Sequence, residues 1–340
     1  MIAPESTTAT ATRPDQEAFG RLIEPHRRLL HAHCYRMMGS LHDAEDLTQE
    51  TLLRAWQGID GFHGPSLGAW LFRIATNTCL NALGRQRRAS RFVVGVSAGE
   101  LHADLLPHLE PYPDDMFDHQ LAEIAVTDES ARPDSRCEMR ESISIAFLVA
   151  TQLLPPRQRA VLLLRDVLGF SPSEVADQMA SSVAGVNSLL QRARSTLRKS
   201  GLPSEAGGPH DLVASDAAAK QVVARFVSAW ERADIQGLVD LLTDDAVLTM
   251  PPQKVRLIGR QGIGDFFSTV PADGHLEQIR LVATAANWQP ALAAYVLDTA
   301  TGVFNAYGIM VLTVEQGAIS AITGFPGPAL FPFFGLAQAF

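Results

Sequence analysis

Aromatic, amide and guanidinium side chains recur at helical spacing between residues 66 and 88 of this 340-residue chain. Aromatic rings stack on unpaired bases and arginines bind phosphates, so the pattern is typical of a surface for single-stranded DNA. The residues alone allow a plainer interpretation, in which Trp70 belongs to a core and the arginines only form the charged end of a helix. The face consists of Trp70, Arg73, Asn77, Asn81, Arg85 and Arg88.

A second polar face lies upstream, in the segment 43–56. Asp43 is a residue type that caps helices, and small or apolar residues recur from Ala44 to Ile59 with the helical period. The other face of this predicted helix is acidic and rich in amides, and it ends in an apolar residue. By itself it could be the ordinary solvated face of an amphipathic helix. Its residues are Asp46, Gln49, Glu50 and Leu53.

A helix-turn-helix pattern follows between residues 134 and 200. The tetrapeptide Ser-Pro-Ser-Glu at 171–174 combines an N-cap, a proline at the first helical position and the glutamate of a capping box. A short helix to Met179, a tight turn and a second helix from about Val183 to Lys199 predict a recognition helix for the DNA major groove. Its outward side chains can bond base edges and phosphates. They are Asn187, Ser188, Gln191, Arg192, Ser195 and Arg198.

Two strings in these segments resemble conserved regions of one protein family. D-A-E-D-L-T-Q-E-T-L-L-R-A-W (43–56), with C-Y-R-M-M-G before it and G-A-W-L-F-R-I-A-T-N after it, resembles the second conserved region of extracytoplasmic-function sigma factors. L-P-P-R-Q-R-A-V-L-L-L-R-D-V-L-G-F-S-P-S-E-V-A (154–176) resembles the fourth conserved region of sigma factors.

The resemblance implies two partners, core RNA polymerase and promoter DNA. It implies that the acidic face docks against the clamp helices of the largest polymerase subunit. It also implies that the helix carrying Trp70 reads the −10 element, with Phe62 and His63 near the extruded base, and that the helix-turn-helix reads the −35 element. Gly185 and Leu189 depart from the family, which usually has Thr and a basic residue there, so promoter preference cannot be copied from a typical member.

The rest of the chain changes character. Two amphipathic helices and then strand-like runs from Ala246 to Phe325 predict an α+β cone with a curled antiparallel sheet. F-V-S-A-W-E-R-A-D, L-L-T-D-D-A-V-L-T-M-P-P and G-R-Q-G-I-G-D-F-F resemble the SnoaL-like domain of the nuclear-transport-factor-like superfamily. In some sigma factors this domain stands in for a separate anti-sigma factor, which implies regulation in cis. The predicted fold is therefore multidomain, with two all-α sigma domains, the second a helix-turn-helix, followed by an α+β nuclear-transport-factor-like cone.

A different class of function stays open for the cone, namely a small-molecule isomerase or hydrolase, or a ligand sensor. Acid–base chemistry would need a carboxylate or histidine inside the cone, and the spacing of the candidates fixes no dyad. We therefore expect no catalytic residue and no cofactor. The candidates are Asp245, Asp265, His275, Asp298 and Tyr307. The side chains that could line an apolar pocket, or equally form plain core, are Met250, Phe266, Phe267, Trp288, Tyr295 and Phe304.

Composition limits the remaining possibilities. The net charge of −9 argues against a protein that coats nucleic acid unaided. The three cysteines have no CxxC spacing, and His31, His33 and Cys34 lie too close along one helix to share a metal. No apolar run is long enough for a bilayer and no signal peptide precedes the domains, so we expect a cytoplasmic protein with free thiols.

The predicted organisation has six parts, of which the last ends in an apolar tail, 325–334, that must pack in a groove of its own domain or of the sigma domains. They are a disordered leader (1–14), sigma region 2 (15–91), an acidic linker (92–133), sigma region 4 (134–200), a second linker (201–216) and the SnoaL-like domain (217–340). The acidic linker is expected to contain a short helix near residues 116–125. It is expected to be either a solvated tether or, as the resemblance implies, a thread through the RNA-exit path of the polymerase.

Overall fold

The computed structural model describes residues 15–90, 109–116, 144–199 and 216–340. The expected leader, most of both expected linkers, the start of the second helical part and Cys137 lie outside the described residues. The short helix expected near residues 116–125 also falls almost wholly outside them.

The first helical domain consists of α1 (Gln16–Met38), α2 (Leu41–Gly58) and α3 (Leu67–Ser90). Gly39, with φ of 78°, ends α1 in the left-handed conformation that favours glycine. The expectation that Asp43 caps α2 was wrong. The cap is Ser40, whose side chain accepts a hydrogen bond from the Asp43 N–H, so Asp43 lies in the first turn. There its charge still favours the helix N-terminus.

The second helical domain consists of α4 (Ile145–Gln152), α5 (Pro156–Leu162), α6 (Pro172–Gln178) and α7 (Val183–Lys199). A π-helical turn, Leu163–Val167, extends α5. The predicted capping box is confirmed, because the Ser171 side chain and the Glu174 carboxylate each bond the other residue's backbone N–H. Helices α6 and α7 with the tight turn between them form the predicted helix-turn-helix.

The cone begins with α8 (Asp216–Glu231) and α9 (Ile235–Val239), and α10 (Arg260–Phe267) follows the second strand. Its strands are β1 (Leu242–Thr249), β2 (Arg256–Ile258), β3 (Ile279–Ala286), β4 (Gln289–Asp298), β5 (Val303–Glu315) and β6 (Ala318–Pro326). They form one sheet in the order β2-β1-β6-β5-β4-β3. The α+β prediction is confirmed, but the sheet is not wholly antiparallel, because β1 and β6 pair in parallel.

The two faces of this sheet bury different partners. Alternate residues of a strand point to opposite faces. On one face Leu292 joins the aromatic core of the cone helices, where Phe226, Trp230 and Phe267 pack together. On the other face Tyr295 belongs to a core that is continuous with the helical domains. The cone is therefore packed onto the helical part of the chain rather than tethered beside it.

The apolar tail packs as expected, on both the cone and the first helical domain. Phe331 is fully buried, with its ring 5.0 Å from that of Tyr295. Phe333 makes an edge contact with His42 of α2, at 5.1 Å between ring centroids. Beyond the tail's 3₁₀ turn, Phe340 exchanges two backbone hydrogen bonds with Phe304 and so extends the sheet beside β5.

Candidate polymerase and nucleic-acid interfaces

The acidic face of α2 points to solvent. Asp46 and Gln49 are exposed and Leu53 is 62% exposed. Glu50 accepts a hydrogen bond from Arg54 at 2.5 Å, within the same helix. The opposite face is buried, and there the Thr51 hydroxyl bonds a carbonyl of its own helix. An exposed leucine beside carboxylates and an amide makes a mixed surface that a protein partner could cover.

The candidate −10 surface is a strip along α3 rather than a single site. Trp70 is partly buried and lies against Phe62, with ring centroids 5.1 Å apart. Its position is therefore intermediate between a core residue and a fully exposed DNA-binding side chain. His63 is exposed in the same loop. Arg85 lies fifteen residues beyond Trp70, so the aromatic and basic groups are about 22 Å apart at a rise of about 1.5 Å per residue. Exposed side chains along the strip are Arg73, Asn77, Asn81, Arg85 and Arg88.

The recognition helix α7 is anchored by Val186, Leu190 and Ala193, which are buried. The predicted outward residues Asn187, Gln191, Arg192 and Arg198 are exposed, whereas Ser188 and Ser195 are half-buried. A shallow cavity of about 220 Å³ runs along one flank. Its lining residues are Asn187, Leu190, Gln191, Arg194 and Arg198.

Arg194, which the sequence interpretation missed, belongs to this flank. Asp166 of the π-helical turn accepts two hydrogen bonds from its guanidinium, at 2.8 and 3.0 Å. Such a bidentate pair fixes the guanidinium plane. The only signal in the sequence was its spacing from Asn187 and Arg198, seven and four residues away on the same side of the helix.

The two helical domains pack directly on each other. The Phe72 ring of α3 meets the Phe170 ring, which precedes α6, in an edge contact at 5.6 Å. Arg159 of α5 is 4% exposed and donates to the carbonyl of Met37 in the last turn of α1. The same guanidinium donates to the carbonyls of Thr151 and Gln152 near the end of α4. Helix C-termini offer unpaired carbonyls, so one arginine satisfies two helix ends at once.

Residues 109–116, here called the linker segment, are docked on the first helical domain. The Glu110 carboxylate accepts from the Leu41 N–H at 2.7 Å and the His42 N–H at 3.1 Å, at the positive end of α2. Tyr112 is buried, and its hydroxyl hydrogen-bonds His31 at 2.7 Å. This segment was expected to be a solvated tether or a thread through the polymerase, and nothing in its sequence indicated these contacts.

The turn between β3 and β4 holds the linker segment from the other side. The Asn287 side chain accepts from the Tyr112 N–H at 2.9 Å and donates to the Tyr35 hydroxyl at 3.0 Å. The Asn287 N–H donates to the Tyr112 carbonyl at 2.9 Å. Asn287 and Trp288 both have φ of 57°, a turn conformation that asparagine tolerates. The cone, the linker segment and α1 thus meet at one buried amide.

Buried histidines lie beside this contact. Burial lowers the pKa of His31 to about 4, although Glu45 opposes the change. Burial also lowers the pKa of His33 to about 3, and Thr76 is its hydrogen-bond partner at 2.9 Å. Among the described residues, no group of three His, Cys, Asp or Glu side chains could hold a metal ion. Cys34 and Cys79 are free and buried.

The candidate acid–base residues of the cone do not come together. Asp245 and Asp265 are exposed, and so is His275, which pairs with Glu277 at 2.9 Å. Asp298 bonds the turn that follows it, at Ala300 and Thr301, and Tyr307 is 48% exposed. The candidate pocket residues also separate, because Phe267 packs among the cone helices while Tyr295 lies on the opposite face of the sheet. These side chains line no common pocket.

The fold and its surfaces define a helix-turn-helix protein joined to a nuclear-transport-factor-like cone. Residues 22–89 match the family Sigma-70 region 2, residues 144–197 match Sigma-70, region 4, and residues 223–322 match the SnoaL-like domain. The chain is 44% identical over 329 residues to the ECF RNA polymerase sigma factor SigG of Mycobacterium tuberculosis, covering 94% of this chain and 84% of SigG. The chain belongs to the family of ECF RNA polymerase sigma factors.

A further relative agrees with this assignment, and one solved structure shares the fold. The ECF RNA polymerase sigma factor SigW of Bacillus subtilis is 29% identical over 186 residues, covering 54% of this chain and 89% of SigW. The crystal structure of the sigma factor SigJ of Mycobacterium tuberculosis superposes with a TM-score of 0.60 at 23% identity, covering 93% of this chain and 99% of SigJ. SigJ therefore shares the whole three-part fold. Within the described ranges, no helix combines the length and apolar character needed to cross a membrane.

Proposed function

We propose that this sigma factor binds core RNA polymerase through α2, directs promoter-specific transcription initiation in the cytoplasm, and is inhibited in cis by its SnoaL-like domain. The docking residues are Asp46, Gln49, Glu50 and Leu53, which face the clamp helices of the largest subunit. The helix α3 with its preceding loop binds the −10 element, and α7 binds the −35 element. The chemistry of initiation belongs to the polymerase.

The observation that carries the inhibitory role is the position of Asn287. Its amide bonds the linker segment at Tyr112 and the first helical domain at Tyr35. Two residues on, the Gln289 side chain accepts a hydrogen bond from the N–H of Ile145, at the start of α4, at 3.2 Å. One hairpin of the cone therefore holds both helical domains and the segment between them.

Promoter geometry requires these domains to separate. The −10 and −35 elements lie about 25 base pairs apart, which is roughly 85 Å at a rise of about 3.4 Å per base pair. The Phe72–Phe170 contact at 5.6 Å and the Arg159–Met37 hydrogen bond keep the two DNA-binding domains side by side. A molecule in this closed arrangement cannot reach both elements at once. Contacts of the cone that stabilise the arrangement oppose initiation.

We further propose that the cone acts by contact and not by catalysis. Its interior is occupied by the rings of Phe226, Trp230 and Phe267, and its ionisable candidates are scattered over the surface. A buried carboxylate or histidine beside a cavity, which acid–base chemistry on a small molecule would need, is not among those candidates. This distribution supports a regulatory module over an isomerase or hydrolase.

Run-off transcription with core polymerase tests the proposal. We expect the full chain to initiate weakly at a cognate promoter, and both Asn287→Ala and a chain ending at residue 200 to initiate several-fold better. Asn305→Ala is the matched control, because Asn305 is an exposed asparagine of the same cone. Failure of every form to initiate would refute the sigma-factor function, whereas equal activity of all forms would refute only the inhibition.

A further inference from the structure

Val183 is an apolar side chain left open to solvent at the start of the recognition helix. It is the first residue of α7 and is 43% exposed. Among the described residues of the two helical domains, the large apolar side chains with this exposure are Leu22, Leu53 and Val183. Leu53 belongs to the proposed polymerase-docking face.

The first turn of α7 presents little that could form a hydrogen bond. Ser182 caps the helix, and its hydroxyl is used by the Gly185 N–H at 3.1 Å. Ala184 is exposed and Gly185 has no side chain, so this turn offers two apolar side chains to solvent, those of Val183 and Ala184. The first outward polar groups, those of Asn187 and Ser188, come one turn later. The N-terminal residues of a recognition helix are the ones that reach base edges in the major groove.

Thymine is the base that suits such a turn. In the major groove its C5-methyl group is the apolar feature, whereas the other base edges present only hydrogen-bond donors and acceptors. A valine facing those polar edges would displace water without replacing its hydrogen bonds. Facing the methyl group, it removes apolar surface of both partners from water.

We propose that Val183 selects a thymine in the −35 element by contact with its C5-methyl group. This inference rests on the proposed promoter recognition by α7 and adds the base and the atom. Burial of one methyl-sized group corresponds to about a fourfold change in binding, which is the change expected when the methyl is removed.

Deoxyuridine substitution tests the contact, because it removes the thymine methyl and leaves base pairing intact. A promoter is first selected by the full-chain holoenzyme from a library randomised across the upstream element. Each thymine of the selected −35 element, on either strand, is then replaced singly by deoxyuridine. We expect one replacement to lower initiation about fourfold with the wild-type chain. With Val183→Ala, initiation on the thymine template should fall similarly, and the same replacement should cause no further loss.

Val270→Ala is the matched control, since Val270 is a valine 56% exposed on the cone. It should keep the full response to deoxyuridine. Unfolding midpoints of the three chains establish that the helix remains folded, and alanine favours a helix more than valine does. If every deoxyuridine template affects wild type and Val183→Ala equally, the contact does not exist. If the wild-type holoenzyme selects no promoter, the proposed function itself fails, and this inference with it.

Discussion

The Asn287 amide donates a hydrogen bond to the Tyr35 hydroxyl at 3.0 Å, and both side chains are fully buried. Tyr35 lies in the first helix and Asn287 in the cone, 252 residues apart. The same hydroxyl donates to the Glu110 carbonyl at 2.7 Å. A buried polar group without its partner costs about 1–3 kcal/mol. The three segments are therefore coupled, because loss of one leaves polar groups of the other two unsatisfied.

Tyr35→Phe should loosen the closed arrangement while leaving the helical packing intact. The variant removes the hydroxyl and leaves the Asn287 amide and the Glu110 carbonyl with one partner fewer. We expect a loss of about 1–3 kcal/mol in docking of the linker segment and a rise in run-off transcription. Hydrogen exchange of the backbone amides of residues 109–116 measures the docking directly.

Tyr307→Phe is the control for this change, because the Tyr307 side chain is 48% exposed on the cone. It should alter neither exchange nor transcription. An increase in exchange at the linker segment without any gain in transcription would separate docking from inhibition and contradict the proposed regulation.

Arg159→Lys should weaken the contact between the helical domains. The guanidinium spans the carbonyls of Met37, Thr151 and Gln152 at the ends of two helices, and it also donates to the Gln152 side chain at 2.5 Å. A lysine ammonium is a point donor and cannot reach groups on several sides. We expect the free energy of unfolding to fall by about 3 kcal/mol, as one to three buried carbonyls lose a partner.

The same helix supplies the control. Arg157 is exposed and donates one hydrogen bond, to the Met179 carbonyl at 3.1 Å, so Arg157→Lys should cost well under half as much. Urea unfolding of both variants decides the point. Equal losses of unfolding free energy in the two variants would mean that the hydrogen bonds of Arg159 to the helix ends add nothing to stability.

Periodic patterns predicted the helices and most strands, because burial of one face follows from the spacing of apolar residues. The same reasoning could not find β2, which has three residues, or the parallel pairing of β1 with β6, which depends on contacts distant in sequence. Asp43 was predicted as the N-cap of α2, but both Ser40 and Asp43 are residue types that cap helices. Which of them is the cap depends on where the helix begins, and here Gly39 ends α1 directly before Ser40.

The residues of the candidate surfaces could be predicted because they point outward from regular helices. The contacts that hold the domains together could not be predicted in this way. The linker segment has no apolar period, so its docking through Glu110 and Tyr112 left no pattern to detect. Arginines are expected at the surface, and the burial of Arg159 depends on two helix ends that meet only in the folded chain. Whether the strand residue Tyr295 lined a pocket depended on which face of the sheet the helical domains cover, and the sequence does not show this.

Leu53→Ala should weaken polymerase binding without affecting the fold. The leucine is 62% exposed, so the folded chain gains little from it, whereas a docked partner would bury it. We expect a loss of affinity for core polymerase of about tenfold or more, since burying a leucine contributes about 1.5–3 kcal/mol and each 1.4 kcal/mol is about a factor of ten. Leu22→Ala, at a leucine 46% exposed on α1, is the comparison variant. Equal binding by Leu53→Ala and wild type in a titration with labelled core enzyme would remove Leu53 from the docking face.

Acidification should destabilise the first helical domain through its buried histidines. An unfolded histidine has a pKa of about 6.5. In the folded chain burial lowers the pKa of His31 to about 4 and that of His33 to about 3. Below pH 6.5 the unfolded chain takes up protons that the folded chain does not, so stability is full above that pH and is lost as the pH falls toward the folded values. Each histidine contributes about 1.4 kcal/mol per pH unit within its window.

His33→Gln isolates one of these contributions. Glutamine can still bond Thr76 but does not titrate, so the fall in unfolding free energy between pH 6 and pH 4.5 should be less steep by about 1.4 kcal/mol per pH unit. Glu45 and Arg27 near His31, and Arg36 near His33, act on the charged forms and are unchanged in the variant. Urea unfolding at pH 7.5 gives the reference, where both histidines are neutral in either state. Parallel pH profiles for wild type and His33→Gln would show that His33 takes up its proton without unfolding, and that its burial does not limit stability in acid.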